Sequence, residues 1–341
     1  MVYSFELIKH ANIRYRDALS ALAQCELRSM LRSLSVFTDP VPEHLGGSVF
    51  LTFECRELSE EELSFLSGHG SVVFMAENRN VMLRPLSFRS SAYLPEDLPE
   101  ILKFKGKTNV GFTRMMINTA LSFTGYRNGS PPPLVFDPIC GKATTCFCAL
   151  TAGMNSVGSD INAKYIAEAA DYFQRYLRFH RLKHEIRKRS ETFGKTPLPV
   201  TEYLFSDTKE HFISRDTRNL TLCCCDTGAS PALFRHRKAR IIVADLPYGV
   251  QHAPQSGQRA ESLTGFLRRA FPVWKSSLAP GGAVAVSFNT LVLPAAKVRE
   301  ALNTAGFAVI EDEAYAHLSH EVEQAVVRDV IFALNSEEDQ P

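Results

Sequence analysis

A motif in the second half of the sequence carries groups that could activate an aromatic amine. The apolar residues 241–244 lead into Asp245-Leu246-Pro247-Tyr248-Gly249, so a carboxylate and an aromatic ring flank a stiff turn. The exocyclic amine of a nucleic-acid base is a poor nucleophile because its lone pair is delocalised into the ring. A carboxylate and a backbone carbonyl that accept its two N–H groups localise that lone pair, and a stacked aromatic ring holds the plane of the base.

Each residue of this motif takes one role in that chemistry. Asp245 would be the carboxylate, the backbone of Leu246 would supply the carbonyl, and Tyr248 would be the stacking ring. Pro247 would stiffen the turn, since its own ring fixes φ. The alternative is an ordinary strand-end turn, for which Asp, Pro and Gly are also the usual residues. A cofactor site on the same sheet favours the catalytic interpretation.

A second motif has the form of a nucleotide-type cofactor site. A strand pattern at 134–136 runs into Asp137-Pro138-Ile139-Cys140-Gly141, and a helix pattern containing Thr144 and Thr145 follows. The next strand pattern ends at Asp160-Ile161. Such cofactors bind across the carboxyl ends of parallel strands. There Gly141 lets the backbone approach the ligand, and Asp160 can accept hydrogen bonds from ribose hydroxyls.

The acidic residue that opens this loop separates two cofactor classes. A dinucleotide site places small residues and a helix N-terminus beneath a pyrophosphate. Asp137 would repel a pyrophosphate, whereas its carboxylate suits the ammonium group of a methionyl moiety. The loop therefore favours S-adenosylmethionine over NAD.

The segments that must position these motifs alternate between strand and helix patterns from about residue 101 onward. Apolar runs indicate strands, and helical spacing of apolar residues indicates helices. The predicted strands are 134–136, 156–160, 220–225, 240–244, 283–288, 307–312 and 326–333, and the predicted helices are 109–121, 143–153, 163–180, 261–278 and 294–305. This alternation predicts an α/β fold with a mostly parallel, Rossmann-like sheet covered on both faces.

Residues 1–100 differ in character and carry no recognisable chemical motif. Helical spacing over 15–34, strand patterns at 48–53 and 71–75, and a helix pattern at 57–66 capped by Ser59 indicate a small α+β domain. We therefore expect two domains, 1–100 and 101–335, followed by a disordered acidic tail.

The two motifs together resemble the amino-methyltransferases with a D-P-P-Y-type loop, and more narrowly the tRNA guanosine N2-methyltransferase family of archaea and eukaryotes. The similarity spans about residues 105–333 and lies in the segments 111–120, 137–144, 158–161 and 245–250. It implies a class I methyltransferase sheet, S-adenosylmethionine as cofactor, and methyl transfer to an exocyclic amine of an RNA base, in the first place guanine N2 in tRNA. Residues 1–100 would then be a reduced RNA-binding module of the THUMP type.

The resemblance also implies cofactor contacts beyond the loop. The helix before the loop, with Thr113 and Asn118, would cover the methionyl end, and Asp226 would face the adenine amino group. The full predicted cofactor set is Thr113, Asn118, Asp137, Pro138, Cys140, Gly141, Thr144, Thr145, Asp160, Ile161 and Asp226. Two residues depart from the family pattern. Ala143 replaces a loop glycine, which we expect to narrow the cofactor cleft, and Leu246 replaces a proline, which removes a φ restraint.

Clusters of basic residues predict the RNA contacts. Residues 175–195 are rich in Lys and Arg, and the cluster 235–238 precedes the catalytic strand. Lys and Arg that pair with phosphates release counterions, which favours binding. A solvated basic surface is the equal alternative for the first cluster. The predicted RNA-binding residues are Arg187, Lys188, Arg189, Arg235, Arg237 and Lys238, the last three because they lie close to Asp245 in sequence.

Composition sets the remaining expectations. The formal net charge of +1 neither requires nor excludes a polyanionic partner. The sequence has no apolar run of membrane-spanning length and no signal-peptide pattern, which predicts a cytosolic protein without a membrane partner. The eight cysteines include the run 223–225 but no C-x-x-C pair. Because neighbouring strand residues point to opposite faces, we expect buried thiols and no metal site.

Two other function classes stay open. A DNA adenine or cytosine amino-methyltransferase uses the same catalytic loop, but it usually carries a large target-recognition domain, for which residues 1–100 are short. A glutamine-N5 methyltransferase is a weaker variant, because that class usually opens its loop with Asn. A non-catalytic RNA-binding or scaffold protein that retains the fold is the third interpretation, motivated by Ala143 and Leu246.

Overall fold

The chain forms a small antiparallel sheet followed by a large mixed sheet. The computed structural model describes all residues except 11–12, 80–81, 89, 105, 127–130, 235–236, 248–254, 257–258, 261, 324 and 337–341. The predicted acidic tail therefore lies almost entirely outside the described residues.

The N-terminal sheet has five strands in the order β2-β3-β1-β4-β5, and every neighbouring pair is antiparallel. Its elements are β1 (Val2–Leu7), α1 (Ile13–Ser33), β2 (Val41–Leu45), β3 (Ser48–Glu54), α2 (Glu60–Leu66), β4 (Val72–Arg79) and β5 (Met82–Pro85). Side chains of one sheet face, among them Tyr3 and Phe5, are buried against α1 and α2. Helix α2 begins at a capping box between Ser59 and Glu62, so the cap predicted from the sequence is confirmed.

The larger sheet has ten strands, and helices cover both of its faces. Its strands are β6 (Leu134–Asp137), β7 (Asn155–Asp160), β8 (His184–Phe193), β9 (Thr196–Phe205), β10 (Arg218–Cys224), β11 (Ala239–Asp245), β14 (Leu278–Asn289), β15 (Ala308–Val309), β16 (His320–Glu323) and β17 (Val326–Leu334), while β12 (Gln255–Ser256) and β13 (Arg259–Ala260) form a separate pair. The helices are α3 (Leu98–Ile101), α4 (Val110–Phe123), α5 (Thr144–Thr151), α6 (Ala163–Phe179), α7 (Lys209–Ile213), α8 (Leu263–Ser277) and α9 (Ala295–Thr304), with 3₁₀ turns at Thr227–Phe234 and Glu313–Tyr315.

The strand order defines the fold class. The order along the sheet is β15-β17-β14-β11-β6-β7-β10-β9-β8. The strands from β14 to β10 are mutually parallel, and β17 is inserted antiparallel between β14 and β15. This is the Rossmann-like order of class I methyltransferases, so the predicted fold class is confirmed. The chain direction across the sheet reverses between β6 and β11, which is where open α/β sheets bind their ligands.

Side-chain alternation along β11 shows why this sheet is buried on both sides. Ile241 and Val243 pack with α4 residues in one core, whereas Ile242 and Ala244 pack with α8 residues in the other. A strand with apolar residues on both faces suits only the middle of a layered sheet. The carboxyl end of β11 is thereby held firmly, and Asp245 occupies that end.

The basic stretch after α6 has a structure that the sequence patterns did not predict. Instead of a connection, residues 184–205 form the β8–β9 hairpin, which extends the sheet beyond β10. Its outer strand is mostly polar and charged, as edge strands commonly are, so it has no apolar run to identify it.

The N-terminal unit packs closely on the large sheet. Tyr15 and Leu19 of α1 share a buried core with Phe112 and Met116 of α4. A Cβ atom added to Gly70 would lie 2.5 Å from the backbone oxygen of Gly111, so the two backbones approach each other where no side chain fits.

Candidate active site

The carboxyl ends of three neighbouring parallel strands bring the two sequence motifs to one edge of the sheet. Asp137 ends β6, Asp160 ends β7 and Asp245 ends β11. Asp226 follows β10 at the same edge. Burial is the main cause of the raised pKa of Asp137, and the negative charges of Asp160 and Asp245 raise it further.

Asp137 is the most deeply placed of these acids, with 4% of its surface exposed. Burial raises the pKa of Asp137 to about 7, because the charged form loses its hydration. Hydrogen bonds from the Thr145 hydroxyl and from the Ile139 N–H, the latter at 3.1 Å, act in the opposite direction. A nearby cation would stabilise the ionised form of this carboxyl group.

Asp160 holds the loop that follows β6. Its two carboxyl oxygens accept hydrogen bonds from the N–H groups of Gly141 and Asn162, each at 2.8 Å. Cys140 donates its N–H to the Ser159 carbonyl at 2.9 Å, which ties the loop to the end of β7. Gly141 has φ +53°, a conformation that glycine adopts without strain. The loop is therefore ordered by backbone contacts to the acid predicted to bind ribose.

Ala143 differs from the expectation drawn from the family pattern. It is fully buried in a core with Leu94 and Phe147, so its methyl group does not reach the surface of the cofactor cleft. Its effect lies instead in the backbone, since φ is +68° and a left-handed conformation disfavours a residue with a Cβ atom. The buried position of the methyl group gives no support to the predicted narrowing of the cleft. The next two residues, Thr144 and Thr145, lie buried in the first turn of α5.

Thr108 and Arg328 both meet one carboxyl oxygen of Asp245. The Thr108 hydroxyl donates a hydrogen bond to Oδ2, and Nη2 of Arg328 lies 3.9 Å from that oxygen. Arg328 is 3% exposed, and its guanidinium lies over the Phe112 ring at 5.0 Å from the centroid. The sequence patterns missed Thr108 and Arg328. An arginine inside the apolar strand 326–334 was the signal that could have identified the second.

The turn after Asp245 explains the departure at Leu246. The Leu246 N–H donates to the Ser287 carbonyl at 2.8 Å, and its side chain is 1% exposed in the core under α8. A proline has no N–H and would lose this bond to β14. Pro247 follows and is half-buried. Tyr248, the predicted stacking ring, lies outside the described residues.

Asp226 already has a cationic neighbour. Its Oδ1 accepts from Arg269 Nη1 at 2.6 Å and from the Gly228 N–H at 2.7 Å. Ile161 lies after Asp160 with an exposed side chain, as a residue that covers an adenine ring would. The backbone carbonyl of Pro138, in the predicted loop, accepts a hydrogen bond from the Ser159 hydroxyl at 3.4 Å. The predicted adenine contacts of Asp226 and Ile161 stay predictions.

Two residues of α4 do not join this edge as expected. The Thr113 hydroxyl is buried and donates to the Asn109 carbonyl one turn earlier at 3.0 Å. Asn118 donates its side-chain N–H groups to Glu26 at 2.7 Å and to the Gly68 carbonyl at 3.3 Å. Asn118 therefore lies where α4 packs against the N-terminal unit, and its assignment to the cofactor is corrected. The hydrogen bond of the Thr113 hydroxyl stays within the first turn of α4.

The hairpin carries the first group of predicted RNA contacts. Because β9 is antiparallel to β10, with Val200 opposite Cys223, the hairpin tip extends from the sheet edge that carries the acids. Arg187 pairs with Glu185 at 2.9 Å, and Arg189 pairs with Glu202 at 3.0 Å. Lys188 is exposed. Two of the three basic residues are thus partly neutralised within the hairpin.

The second group lies at the wrong edge of the sheet. Arg237 and Lys238 precede β11, whereas Asp245 ends it, so the whole strand separates them. Arg237 donates to the Asn219 side chain at 3.1 Å, and Lys238 donates to the Ser276 carbonyl. Proximity in sequence to Asp245 was misleading, because residues before and after a strand lie a full strand length apart, at opposite ends of the sheet. Arg235 lies outside the described residues.

The remaining expectations concern cysteines and membranes. Cys223 and Cys225 are buried, which confirms the prediction of buried thiols, and Cys224 is half-buried. The described residues contain no group of three or more His, Cys, Asp or Glu side chains arranged to hold a metal ion. Among the helices that the structure describes, none combines the length and apolar character needed to cross a bilayer.

Comparison with known proteins finds similarity at the level of the fold. No protein-family model and no curated protein matches the chain. Among solved structures, it is similar to TrmN from Thermus thermophilus at 17% identity and a TM-score of 0.42, over 67% of this chain and 50% of that one. It is also similar to magnesium protoporphyrin IX methyltransferase from Synechocystis with bound SAH, at 14% identity and a TM-score of 0.39, over 68% and 90% of the two chains.

A third similar structure is precorrin-6y C5,15-methyltransferase from Geobacter metallireducens, at 13% identity and a TM-score of 0.38, over 71% of this chain and 97% of that one. At these identities the likeness is one of fold, which the strand order already defines. This chain spans only half the length of the Thermus thermophilus protein.

Proposed function

We propose that the protein transfers a methyl group from S-adenosylmethionine to an exocyclic amine of an RNA base, with guanine N2 in tRNA as the first candidate. The observation that carries this proposal is the pair of carboxyl groups at the ends of β6 and β11. Asp137 is buried and Asp245 is held by two neighbouring groups, and both lie where the direction of the sheet reverses. Methyltransferases of this fold and α/β enzymes in general use that position for ligands.

The residues at this edge fit S-adenosylmethionine. Asp137 would pair with the ammonium group, which matches a buried carboxyl group whose pKa burial has raised to about 7. Asp160 would accept from the ribose hydroxyls, Ile161 would cover the adenine ring, and Asp226 would accept from the adenine amino group. Pro138, Cys140 and Gly141 would form the loop beneath the ligand. When bound, the cofactor supplies an electrophilic methyl group whose bond to sulfur breaks as the amine forms its own bond to that carbon.

The chain would activate the amine from the other side. The Asp245 carboxylate and the Leu246 carbonyl would each accept one N–H, which localises the nitrogen lone pair. After the new bond forms, the nitrogen carries a positive charge, and its surplus proton passes to the Asp245 carboxylate and then to water. Tyr248 would hold the plane of the base, as the sequence predicts. Most of the rate would come from this positioning.

Labelled S-adenosylmethionine with total RNA, DNA and protein tests the proposal. We expect label in RNA and N2-methylguanosine among the nucleosides identified by mass spectrometry. Asp245→Asn should lower kcat by about 10²- to 10⁴-fold while the cofactor still binds. Label only in DNA would support the base amino-methyltransferase alternative, and label only in protein would contradict methylation of nucleic acid altogether. Failure to bind the cofactor at millimolar concentration would support a non-catalytic protein.

A further inference from the structure

We propose that Thr108 and Arg328 are positioning residues that fix the orientation of the Asp245 carboxyl group, an inference that rests on the function proposed above. Both contacts meet one oxygen, Oδ2: the Thr108 hydroxyl donates to it, and Arg328 Nη2 lies 3.9 Å away. A rotation of the carboxyl group about its own axis would break both contacts.

Arg328 is fixed by its place in the sheet. Strand β17 lies between β14 and β16, and Arg328 stands opposite Asn289 on one side and His320 on the other. The Phe112 ring supports the guanidinium from α4. A buried guanidinium is costly without a counter-charge, and Asp245 supplies a carboxylate to it. The cation therefore has a defined position from which it attracts one oxygen of Asp245.

Thr108 is fixed from the opposite direction. It precedes Asn109, which caps α4 by accepting from the Phe112 N–H at 3.0 Å. The cap also receives a hydrogen bond from the Tyr15 hydroxyl at 3.5 Å, which comes from α1. The start of α4 thus has a defined conformation, and the Thr108 hydroxyl immediately before it meets Asp245 in a defined direction.

The neighbouring histidine does not compete for the carboxylate. Burial lowers the pKa of His320 to about 4, and the positive charge of Arg328 acts in the same direction, while the Leu318 carbonyl and Asp245 oppose it. His320 is therefore neutral at pH 7, with its Nδ1–H donating to the Leu318 carbonyl at 2.9 Å. The rings of Tyr15 and Phe112 pack against it. Arg328 is thus the cationic side chain of this cluster, whereas His320 contributes packing.

Removal of the hydroxyl at position 108 tests the inference. Thr108→Val should lower kcat by about ten- to a hundredfold, because one hydrogen bond to a charged group is lost. The KM for RNA and the Kd for S-adenosylmethionine should stay within about twofold, since the inference places Thr108 against Asp245 and not against either ligand. Thr108→Ser keeps the hydroxyl and should restore most of the rate. Thr221→Val makes the same change at a buried threonine of β10, three strands from β11, and should leave kcat unchanged.

The cation is tested by Arg328→Lys and Arg328→Met, each with its unfolding temperature measured. We expect both to lower kcat, with lysine retaining more activity because it retains the charge. Should Arg328→Met fail to fold, Arg328→Lys and the Thr108 variants still decide the matter.

A double-mutant comparison separates this inference from the proposed function. In an Asp245→Asn background, Thr108→Val should have no further effect on kcat, because the group that it positions is already altered. A loss of activity in Asp245→Asn together with full activity in Thr108→Val would overturn the inference while the proposed function stands. Equal losses of kcat, cofactor affinity and thermal stability in Thr108→Val would also overturn it, since they indicate a structural role. Wild-type activity that survives Asp245→Asn would instead contradict the proposed function.

Discussion

At the scale of single residues, the buried carboxyl group of Asp137 couples cofactor binding to pH. In the free protein its pKa lies near 7, raised first by burial and further by Asp160 and Asp245. Below that pH the group is protonated and neutral. A cationic ligand that pairs with Asp137 must then displace the proton, so the affinity for the cofactor should depend on pH across the neutral range.

We expect cofactor affinity to fall by about tenfold for each pH unit below 7 and to level off above it. Calorimetry near pH 6 in two buffers of different ionisation enthalpy should detect the release of a proton on binding. Asp137→Asn should bind weakly with little dependence on pH. A variant that keeps the pH slope of the wild type would contradict the assignment of Asp137.

The raised pKa of Asp137 also makes the free energy of unfolding depend on pH. The folded-state pKa of Asp137 is raised, so its contribution to the free energy of unfolding is fully present below the ordinary pKa of 3.8 and is lost as pH rises to about 7. The free protein should therefore lose stability over this window, and Asp137→Asn should remove that loss. The cofactor would reverse it by stabilising the ionised group.

Ala143→Gly tests how the chain tolerates its departure from the family loop. Relief of the left-handed conformation should stabilise by about 1 kcal/mol, whereas loss of the buried methyl group should cost about 0.8 kcal/mol. We expect these effects nearly to cancel in a denaturant titration, with an unchanged Kd for the cofactor. A clear gain in cofactor affinity would show that the methyl group does obstruct the cleft.

The sequence predicted the position of a residue in the sheet where a strand end identified that residue. Asp137 and Asp245 follow apolar runs, Asp160 ends the next predicted strand of the alternation, and the carboxyl ends of parallel strands meet at one sheet edge. The sequence patterns missed Thr108 and Arg328, because their contacts with Asp245 arise from the pairing of β17 with β14 and from the course of the chain before α4. Neither relation is local in sequence.

At the scale of elements, the β8–β9 hairpin is the feature that most changes the picture of RNA contact. Its tip extends from the edge that carries Asp160 and Asp226, whereas Arg237 and Lys238 lie at the other edge. The hairpin is therefore the better of the two predicted basic surfaces for a substrate that reaches Asp245.

Lys188→Glu with Lys195→Glu changes two exposed lysines of the hairpin. We expect RNA affinity to fall by about tenfold at low salt, and the slope of log K against log salt to decrease by about one to two. Arg237→Glu with Lys238→Glu is the matched control, because it makes the same change in charge at the opposite edge. Equal losses in the two variants would argue for a non-specific electrostatic effect.

Element-scale prediction succeeded for the parallel strands and the helices between them. Apolar content located most of them, and the polar segment 156–160 was predicted from its place in the alternation of strands and helices. The predicted strands 156–160 and 240–244 differ from β7 and β11 by no more than one residue at either end. It failed for β8 and β9, since polar edge strands lack that content.

At the scale of the whole molecule, a buried polar seam joins the N-terminal unit to α4. Glu26 is fully buried, and its Oε1 accepts from the Gly70 N–H at 2.8 Å and from Asn118 at 2.7 Å. His69 lies 3.5 Å from the second oxygen of the same carboxyl group. Gly70 and Gly111 make the close backbone approach beside it. The second oxygen of Glu26, Oε2, has no hydrogen-bond partner among the described residues, so the seam depends on the two bonds to Oε1.

Asn118→Ala should therefore act on stability and not on the cofactor. We expect a loss of about 1–3 kcal/mol in the free energy of unfolding, because a buried carboxyl group loses a donor. The Kd for S-adenosylmethionine should be unchanged, and Asn118→Asp should be more damaging because it places a second acid beside Glu26. Normal stability with a large rise in the cofactor Kd would restore the cofactor role implied by the family resemblance.

The position of β17 has a consequence for how the molecule is made. This strand lies between β14 and β15 and carries Arg328, yet it follows every other described strand of this sheet along the chain. In a nascent chain, β6, β7, β10, β11 and β14 can pair before β17 has taken its place beside β14. Asp245 would then exist for a time without its buried cation, and the site would reach its working geometry only when the sheet is closed by its final strand.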